Sequence, residues 1–421
     1  MKQAILLPLF LWLAVSNSFA APSIKVKTEK NSSIYRTGEA VEFQVQVVGA
    51  EGAANSTVDY VLSEDGFKEI RKGKLKLKNA KGSIEGIMNT PGFLRCVVSF
   101  TPQKGKTLRG VAAAAISPLK IAASLPAPED FDSFWKSQKS KLEKVAMKAT
   151  LTPVENARAN CFDVQITCVG KPVSGYLGLP KESKPKSLPI ILWVHGAGVR
   201  SSSLGNAVQG AEKGMISMDI NAHGIPNGKP GKFYSDLNSG ELKGYRHAGR
   251  EDRETIYFKN MYLRLVRALD YLTALPEWDG KTVAVVGHSQ GGLQALVAGS
   301  LDSRVTFIGS GVPAGCDHTG AAVDRISGWP KIVPTVNGKP DPKISKASRY
   351  IDAVNFASRC KAEAIMSVGF IDPVCPPTSC YAAYNQLKGP KTVLNEPTMA
   401  HAGPAHIKQA FLEALIKHSN R

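Results

Sequence analysis

The stretch Thr282-Val283-Ala284-Val285-Val286-Gly287-His288-Ser289-Gln290-Gly291-Gly292-Leu293-Gln294-Ala295-Leu296-Val297-Ala298 passes from a β-branched apolar run, through Gly-x-Ser-x-Gly, into a helix-favouring apolar run. Its composition predicts a strand, a sharp turn and a helix, in that order. Such a turn pushes the serine side chain out of the sheet, and small residues around it let the backbone and the helix approach closely. The five-letter pattern alone is common. The strand before it and the helix after it give it weight, and Ser289 becomes the candidate nucleophile. The backbone N–H of Gln290, at the start of the helix, then faces any negative charge that develops on an attacked carbonyl.

Working outward, apolar strands alternate with amphipathic helices from about residue 150 onward, the pattern of a mainly parallel sheet covered on both faces. Strands are expected at 188–194, 215–220, 282–286, 305–309, 364–368 and 391–394. Tyr257, Met261, Leu265, Leu269 and Leu272 recur at helical spacing, and Pro276 ends that helix. Ahead of this region, Ser124-Leu125-Pro126-Ala127-Pro128 reads as a joint, followed by acidic residues suited to capping a helix through Phe134, Trp135 and Leu142. Residues 23–121 instead show period-two alternation, as in Val41-Glu42-Phe43-Gln44-Val45-Gln46-Val47, with turns such as Thr90-Pro91-Gly92 between segments. The expectation is an N-terminal all-β, immunoglobulin-like or fibronectin-like sandwich over 21–123, then an α/β-hydrolase domain over 124–421. With few exposed aromatics predicted, a spacer role is expected for the sandwich.

A serine hydroxyl needs a base, and the base needs an orienting carboxylate. In this fold they follow the nucleophile in the order acid, then histidine. Asp372 stands where Ser367-Val368-Gly369-Phe370-Ile371 breaks into a loop; Asp317, after another strand end, is its competitor, while Asp302 and Asp324 fall in ordinary helix or loop. His401, in the small-residue loop Met399-Ala400-His401-Ala402-Gly403, is the candidate base. His406 starts the closing helix, where capping is an equal role, His418 lies at the terminus and His318 precedes the acid. A second oxyanion donor is expected from His195-Gly196-Ala197-Gly198, through the backbone N–H of Ala197, with His195 as a loop-fixing residue.

Composition bounds the rest. A chain of 421 residues that is 43% hydrophobic and 21% charged is folded and long enough for two domains. Lys2, the apolar run Ala4 to Val15 and Ser18-Phe19-Ala20 form an expected signal peptide over 1–20, so the mature chain is periplasmic or secreted, without membrane insertion after cleavage. The formal charge of +18 suits anionic envelope polymers or a solvated surface, but no basic stripe interleaved with aromatics points to nucleic acid. The 7 cysteines lack paired C-x-x-C units, so structural zinc is not expected; free buried thiols with one or two bridges are.

The chain resembles the acetyl xylan esterase and cephalosporin C deacetylase family, carbohydrate esterase family seven, over about residues 126–417. The resemblance rests on Asp130-Phe131-Asp132-Ser133-Phe134-Trp135, His195-Gly196-Ala197-Gly198, Gly287-His288-Ser289-Gln290-Gly291-Gly292 and Gly369-Phe370-Ile371-Asp372-Pro373-Val374-Cys375-Pro376-Pro377. It implies Ser289 as nucleophile, Asp372 as acid and His401 as base, no metal or other cofactor, and acetylated oligo- or polysaccharide as substrate. Four positions depart from the family: Ala197 replaces an aromatic residue, Ala402 a glutamate, and Asn221 and His223 an arginine and a glutamine. Two other readings stand beside this one: a prolyl oligopeptidase-type peptidase, whose usual propeller needs more than about one hundred residues, and an inactive glycan-binding homologue.

Overall fold

The computed structural model describes residues 21–103 and 105–421. The signal peptide expected over 1–20 lies outside the described residues. Eight strands build the N-terminal part: β1 (Ser23–Thr28), β2 (Ile34–Tyr35), β3 (Ala40–Val48), β4 (Thr57–Glu64), β5 (Lys68–Lys76), β6 (Lys81–Ile87), β7 (Gly92–Phe100) and β8 (Leu108–Ile116). They form two sheets, β1-β3-β6 and β2-β8-β7-β4-β5. All pairs are antiparallel except β2 with β8. Alternation in β3 sends Val41, Phe43, Val45 and Val47 inward to meet Leu62, Leu94, Cys96 and Val98. The period-two reading located β1, β3, β4, the end of β5 and β7. It passed over β6, where Gly82 and Gly86 replace the expected inward side chains because a Cβ there would lie 2.9 Å from Leu75 and 2.8 Å from Leu94. It also passed over β8, whose inner positions are alanines, a residue with little strand preference of its own.

The C-terminal part follows helix α1 (Phe131–Glu143) and carries β9 (Ala149–Val154), β10 (Asn160–Ile166), β11 (Val173–Leu179), β12 (Leu188–Val194), α2 (Leu204–Glu212), β13 (Ile216–Ile220), α3 (Gly231–Ser239), α4 (Tyr257–Leu272), β14 (Trp278–His288), α5 (Gln290–Leu301) and β15 (Phe307–Gly311). A small hairpin, β16 (Thr335–Val336) and β17 (Lys339–Pro340), precedes α6 (Pro342–Ser348), α7 (Ala353–Ala357), β18 (Glu363–Gly369), α8 (Pro377–Gln386), β19 (Lys391–Glu396) and α9 (Ala405–Ser419). Nine strands pair in the order β19-β18-β15-β14-β12-β13-β11-β10-β9. From β13 to β19 the pairs are parallel, and β11, β10 and β9 add an antiparallel edge. Neighbouring residues of β12 and β14 serve opposite faces: Leu192 and Val285 pack with α4 and α5, whereas Trp193 and Val286 pack with Phe411 and Leu415 of α9.

The joint near residue 124 is not a loose spacer. Phe93, Ala113 and Ala115 of the sandwich lie in the same buried core as Phe131, Phe370 and Tyr381. Ser124 donates its backbone N–H and its hydroxyl to Asp317, at 2.9 and 2.6 Å, and Asn385 donates to the carbonyls of Pro118 and Ile121. The spacer expectation is therefore corrected: sandwich and sheet share apolar surface, which no linker composition encodes. Capping of α1 also differs from expectation. Asp130 makes no side-chain cap; its carboxylate takes Arg253 and the Tyr350 hydroxyl instead.

Candidate active site

Each candidate residue sits just beyond the carboxyl end of a parallel strand, where open sheets of this kind place their ligand sites. Ser289 follows β14 with φ 60° and ψ −119°, a conformation L side chains rarely adopt. The turn survives because its neighbours are glycines: a Cβ on Gly291 would lie 2.1 Å from the Val194 carbonyl oxygen, and one on Gly287 2.5 Å from the same atom. Asp372 stands three positions past the end of β18, and His401 stands between β19 and α9.

These remote segments converge. His401 Nε2 is 3.1 Å from Ser289 Oγ and its Nδ1 is 2.8 Å from Asp372 Oδ2. The other carboxylate oxygen of Asp372 accepts the backbone N–H groups of Val374 and Cys375 at 2.7 and 2.9 Å, so the buried carboxylate is anchored by its own loop. This geometry fits a serine O–H donating to Nε2 and an Nδ1–H donating to the acid. His288, whose ring lies 6.1 Å from that of His401, is pushed down to about 4 by burial and stays neutral beside it.

Cys375 lies beside the same groups, and the donor atoms of Asp372, Cys375 and His401 are within 4.8 Å of one another, the one such set among the described residues. Burial, with Asp372 adding to it, raises this thiol well above its ordinary value. A thiol kept protonated is a poor nucleophile, and Asp372 and His401 are already bonded to each other. All seven cysteines are buried and free, which corrects the expectation of one or two bridges.

The other candidates find different partners. Asp317 holds Ser124 and Arg325, Asp324 pairs with Lys68, and Asp302 pairs with Arg304. His406 bonds Glu396 rather than capping, His418 bonds Glu363, and buried His318 has no partner for either ring nitrogen among the described residues. His195 fixes the loop after β12: its Nε2 accepts the Ala222 N–H at 3.0 Å while Nδ1–H donates to the Gly196 carbonyl.

Ala197 lines the same cavity as Ser289 and His401. Its loop is held by residues that the sequence alone did not bring together. The N–H of Gly198 donates to the Tyr245 hydroxyl at 3.3 Å, and that hydroxyl donates to Gln290 Oε1 at 2.9 Å. From the other side, His223 donates Nε2–H to the Gly198 carbonyl and accepts the Tyr257 hydroxyl at Nδ1. Burial holds His223 down at about 3, consistent with a neutral ring. Asn221 is buried as well, accepting the N–H groups of His223 and Ile225 and donating to Asn227. The departures at Asn221 and His223 thus build a hydrogen-bonded support of their own.

The cavity over Ser289, of about 440 Å³, is lined by Gly196, Ala197, Arg200, Arg246, His288, Trp329, Val374 and His401. Arg200, Arg246 and Trp329 were not read as site residues, and no periodic signal marks them.

A strand-turn-helix serine, a histidine and a carboxylate at the ends of parallel strands beside an open cavity form an arrangement chemically able to hydrolyse a carboxylic ester. The chain belongs to the acetyl xylan esterase (AXE1) family, whose model matches residues 120–418. It is 31% identical over 400 residues to acetyl esterase Axe7A of Xylanibacter ruminicola, covering 93% of this chain and 87% of that protein. That span takes in much of the sandwich as well as the sheet. The solved acetyl xylan esterase from Paenibacillus sp. R4 is 28% identical with a TM-score of 0.63, over 71% of this chain and 98% of its own. Acetyl xylan esterase 1 from Thermoanaerobacterium sp. JW/SL YS485 shares the fold, with a TM-score of 0.61 at 22% identity, over 71% of this chain and 97% of its own.

Proposed function

We propose that this ester hydrolase is an exported serine esterase that removes acetyl groups from acetylated carbohydrate of the xylan type. The observation that carries the reading is the continuous chain from Ser289 Oγ through His401 to Asp372, at 3.1 and 2.8 Å. In the proposed mechanism His401 Nε2 takes the serine proton as Oγ bonds to the acetyl carbonyl carbon, while Asp372 holds the tautomer and stabilises the imidazolium. Backbone N–H groups of Gln290 and Ala197 meet the developing oxyanion, each worth about 3 kcal/mol at the transition state. The C–O bond to the sugar then breaks, and the sugar oxygen takes the proton from His401 and leaves as a hydroxyl. Water, deprotonated by the same imidazole, then releases acetate and restores Ser289.

The proposed organisation is a signal peptide over 1–20, an immunoglobulin-like sandwich over 21–123 and an α/β-hydrolase domain over 124–421. The parallel β2–β8 edge and the β1-β3-β6 sheet support the sandwich, and the parallel run β13 to β19 supports the hydrolase fold. No helix among the described residues is long and apolar enough to cross a membrane. Acetate release from acetylated xylan by the wild type and by Ser289→Ala tests the reading. The expected loss is about ten-thousandfold or more with the fold retained; an unimpaired variant overturns it. The N-terminal residue of the mature protein tests export, with Ala21 as the expected start.

A further inference from the structure

The cavity over Ser289 has a charge pattern that a neutral acetylated sugar does not require. Two guanidinium groups, Arg200 and Arg246, line it, and neither has a carboxylate partner among the described residues. Asp372, the acid nearest the nucleophile, has no exposed side-chain surface and stands behind His401. The cavity mouth therefore carries uncompensated positive charge, on a chain whose formal net charge is already +18.

Both cations are held in place without being neutralised. Arg246 lies over the Tyr245 ring at 5.5 Å and the Trp329 ring at 5.4 Å, contacts that orient a guanidinium and leave its N–H groups free. Arg200 donates Nη2–H to the Gly196 carbonyl at 2.9 Å, in the loop that carries Ala197. Trp329 is half-buried beside them and presents an aromatic surface to the cavity. Pre-oriented guanidinium groups lining one cavity recognise a carboxylate by charge-assisted hydrogen bonds.

We propose that the sugar half of the substrate carries a carboxylate: the acetylated saccharide contains a uronic acid, whose carboxylate is taken by Arg246 and Arg200 while a sugar ring lies against Trp329. The proposal rests on the esterase reading above and deepens it by naming the substrate class. The carboxylate belongs to the alcohol half because the cations share the cavity with Trp329, the one large flat apolar surface there on which a sugar ring can lie.

The test compares acetate release from acetylated xylo-oligosaccharides matched in length, with and without one glucuronic acid branch, at low salt. The wild type is expected to favour the acidic substrate about fivefold in kcat/KM, chiefly through KM, as one or two solvent-accessible ion pairs allow. Added salt should shrink that preference. Arg246→Gln should bring it close to one and Arg246→Glu should reverse it. Equal kcat/KM in the wild type, or a preference that survives Arg246→Glu, overturns the proposal while leaving the esterase reading intact. A preference for 4-nitrophenyl hemisuccinate over 4-nitrophenyl acetate, with no preference among the oligosaccharides, places the carboxylate in the acyl half and also overturns it. No turnover of either oligosaccharide would remove the esterase reading itself.

Discussion

The ring of Phe93, on sandwich strand β7, packs edge-on against Phe370, two positions before Asp372, with centroids 5.1 Å apart. Phe93 also meets Tyr381 of α8 at 5.8 Å, and nearby Asp65 accepts the backbone N–H of Thr378 at 3.0 Å. The sandwich thus braces both the loop that carries the candidate acid and the helix that follows it.

Phe93→Ala should cost about 3–5 kcal/mol, the usual range for emptying a buried aromatic site. Urea denaturation checks it. A chain beginning at residue 124 exposes Phe370, Tyr381 and Phe131 around the vacated surface and is expected to be recovered as aggregate rather than as an active monomer. Recovery of a soluble, active fragment would contradict the bracing role.

Asp65 provides a pH test. Burial pushes its carboxyl up to about 6 from 3.8, against a smaller opposing pull from Thr378 and Arg95. The proton is bound more tightly in the folded state, so this stabilising contribution is complete below about pH 4 and is lost as pH rises through about 6. Asp65→Asn has no charge to bury. Relative to the wild type it should gain about 2 kcal/mol between pH 4 and pH 7, measured as the shift in urea midpoint.

The Tyr245 hydroxyl links the N–H of Gly198 to the side chain of Gln290. Removing it in Tyr245→Phe frees the loop of one proposed oxyanion donor from the residue proposed to supply the other. A roughly tenfold fall in kcat with little change in KM is expected, since the loss is felt mainly where charge develops. A rise in KM at constant kcat would assign Tyr245 to substrate binding instead.

All seven thiols are buried, and burial raises those of Cys316, Cys375 and Cys380 well above the ordinary range. A thiol-specific chromogenic reagent should label almost none in the native protein and seven after denaturation. Activity should survive excess iodoacetamide, because the buried thiols are shielded from the reagent and Ser289 is the proposed nucleophile.

Local reading reached far along the sheet. The strand, turn and helix around Ser289 were legible because β-branched residues, glycines and a helical run each constrain their own backbone. Asp372 and His401 were picked out from order and loop position, and they lie within hydrogen-bond reach of each other. The antiparallel edge was not: β9 is exposed along nearly its whole length, so it has no buried face to leave an alternating trace. Tyr245 and His223 carry no such trace either, because their roles lie in which carbonyl or amide they meet.

The sequence by itself determined the sharp bend at Ser289, the order serine, aspartate, histidine among the candidates, and the split between a period-two region and an alternating one. Those features are set by neighbouring residues, through steric limits on φ and ψ and the repeat of apolar side chains. Tertiary structure alone decided that Phe93 props the acid loop, that Tyr245 ties Gly198 to Gln290, and that Arg200, Arg246 and Trp329 share one cavity. Each of these joins residues far apart along the chain, and packing of separate surfaces selects such partners where no local periodicity can.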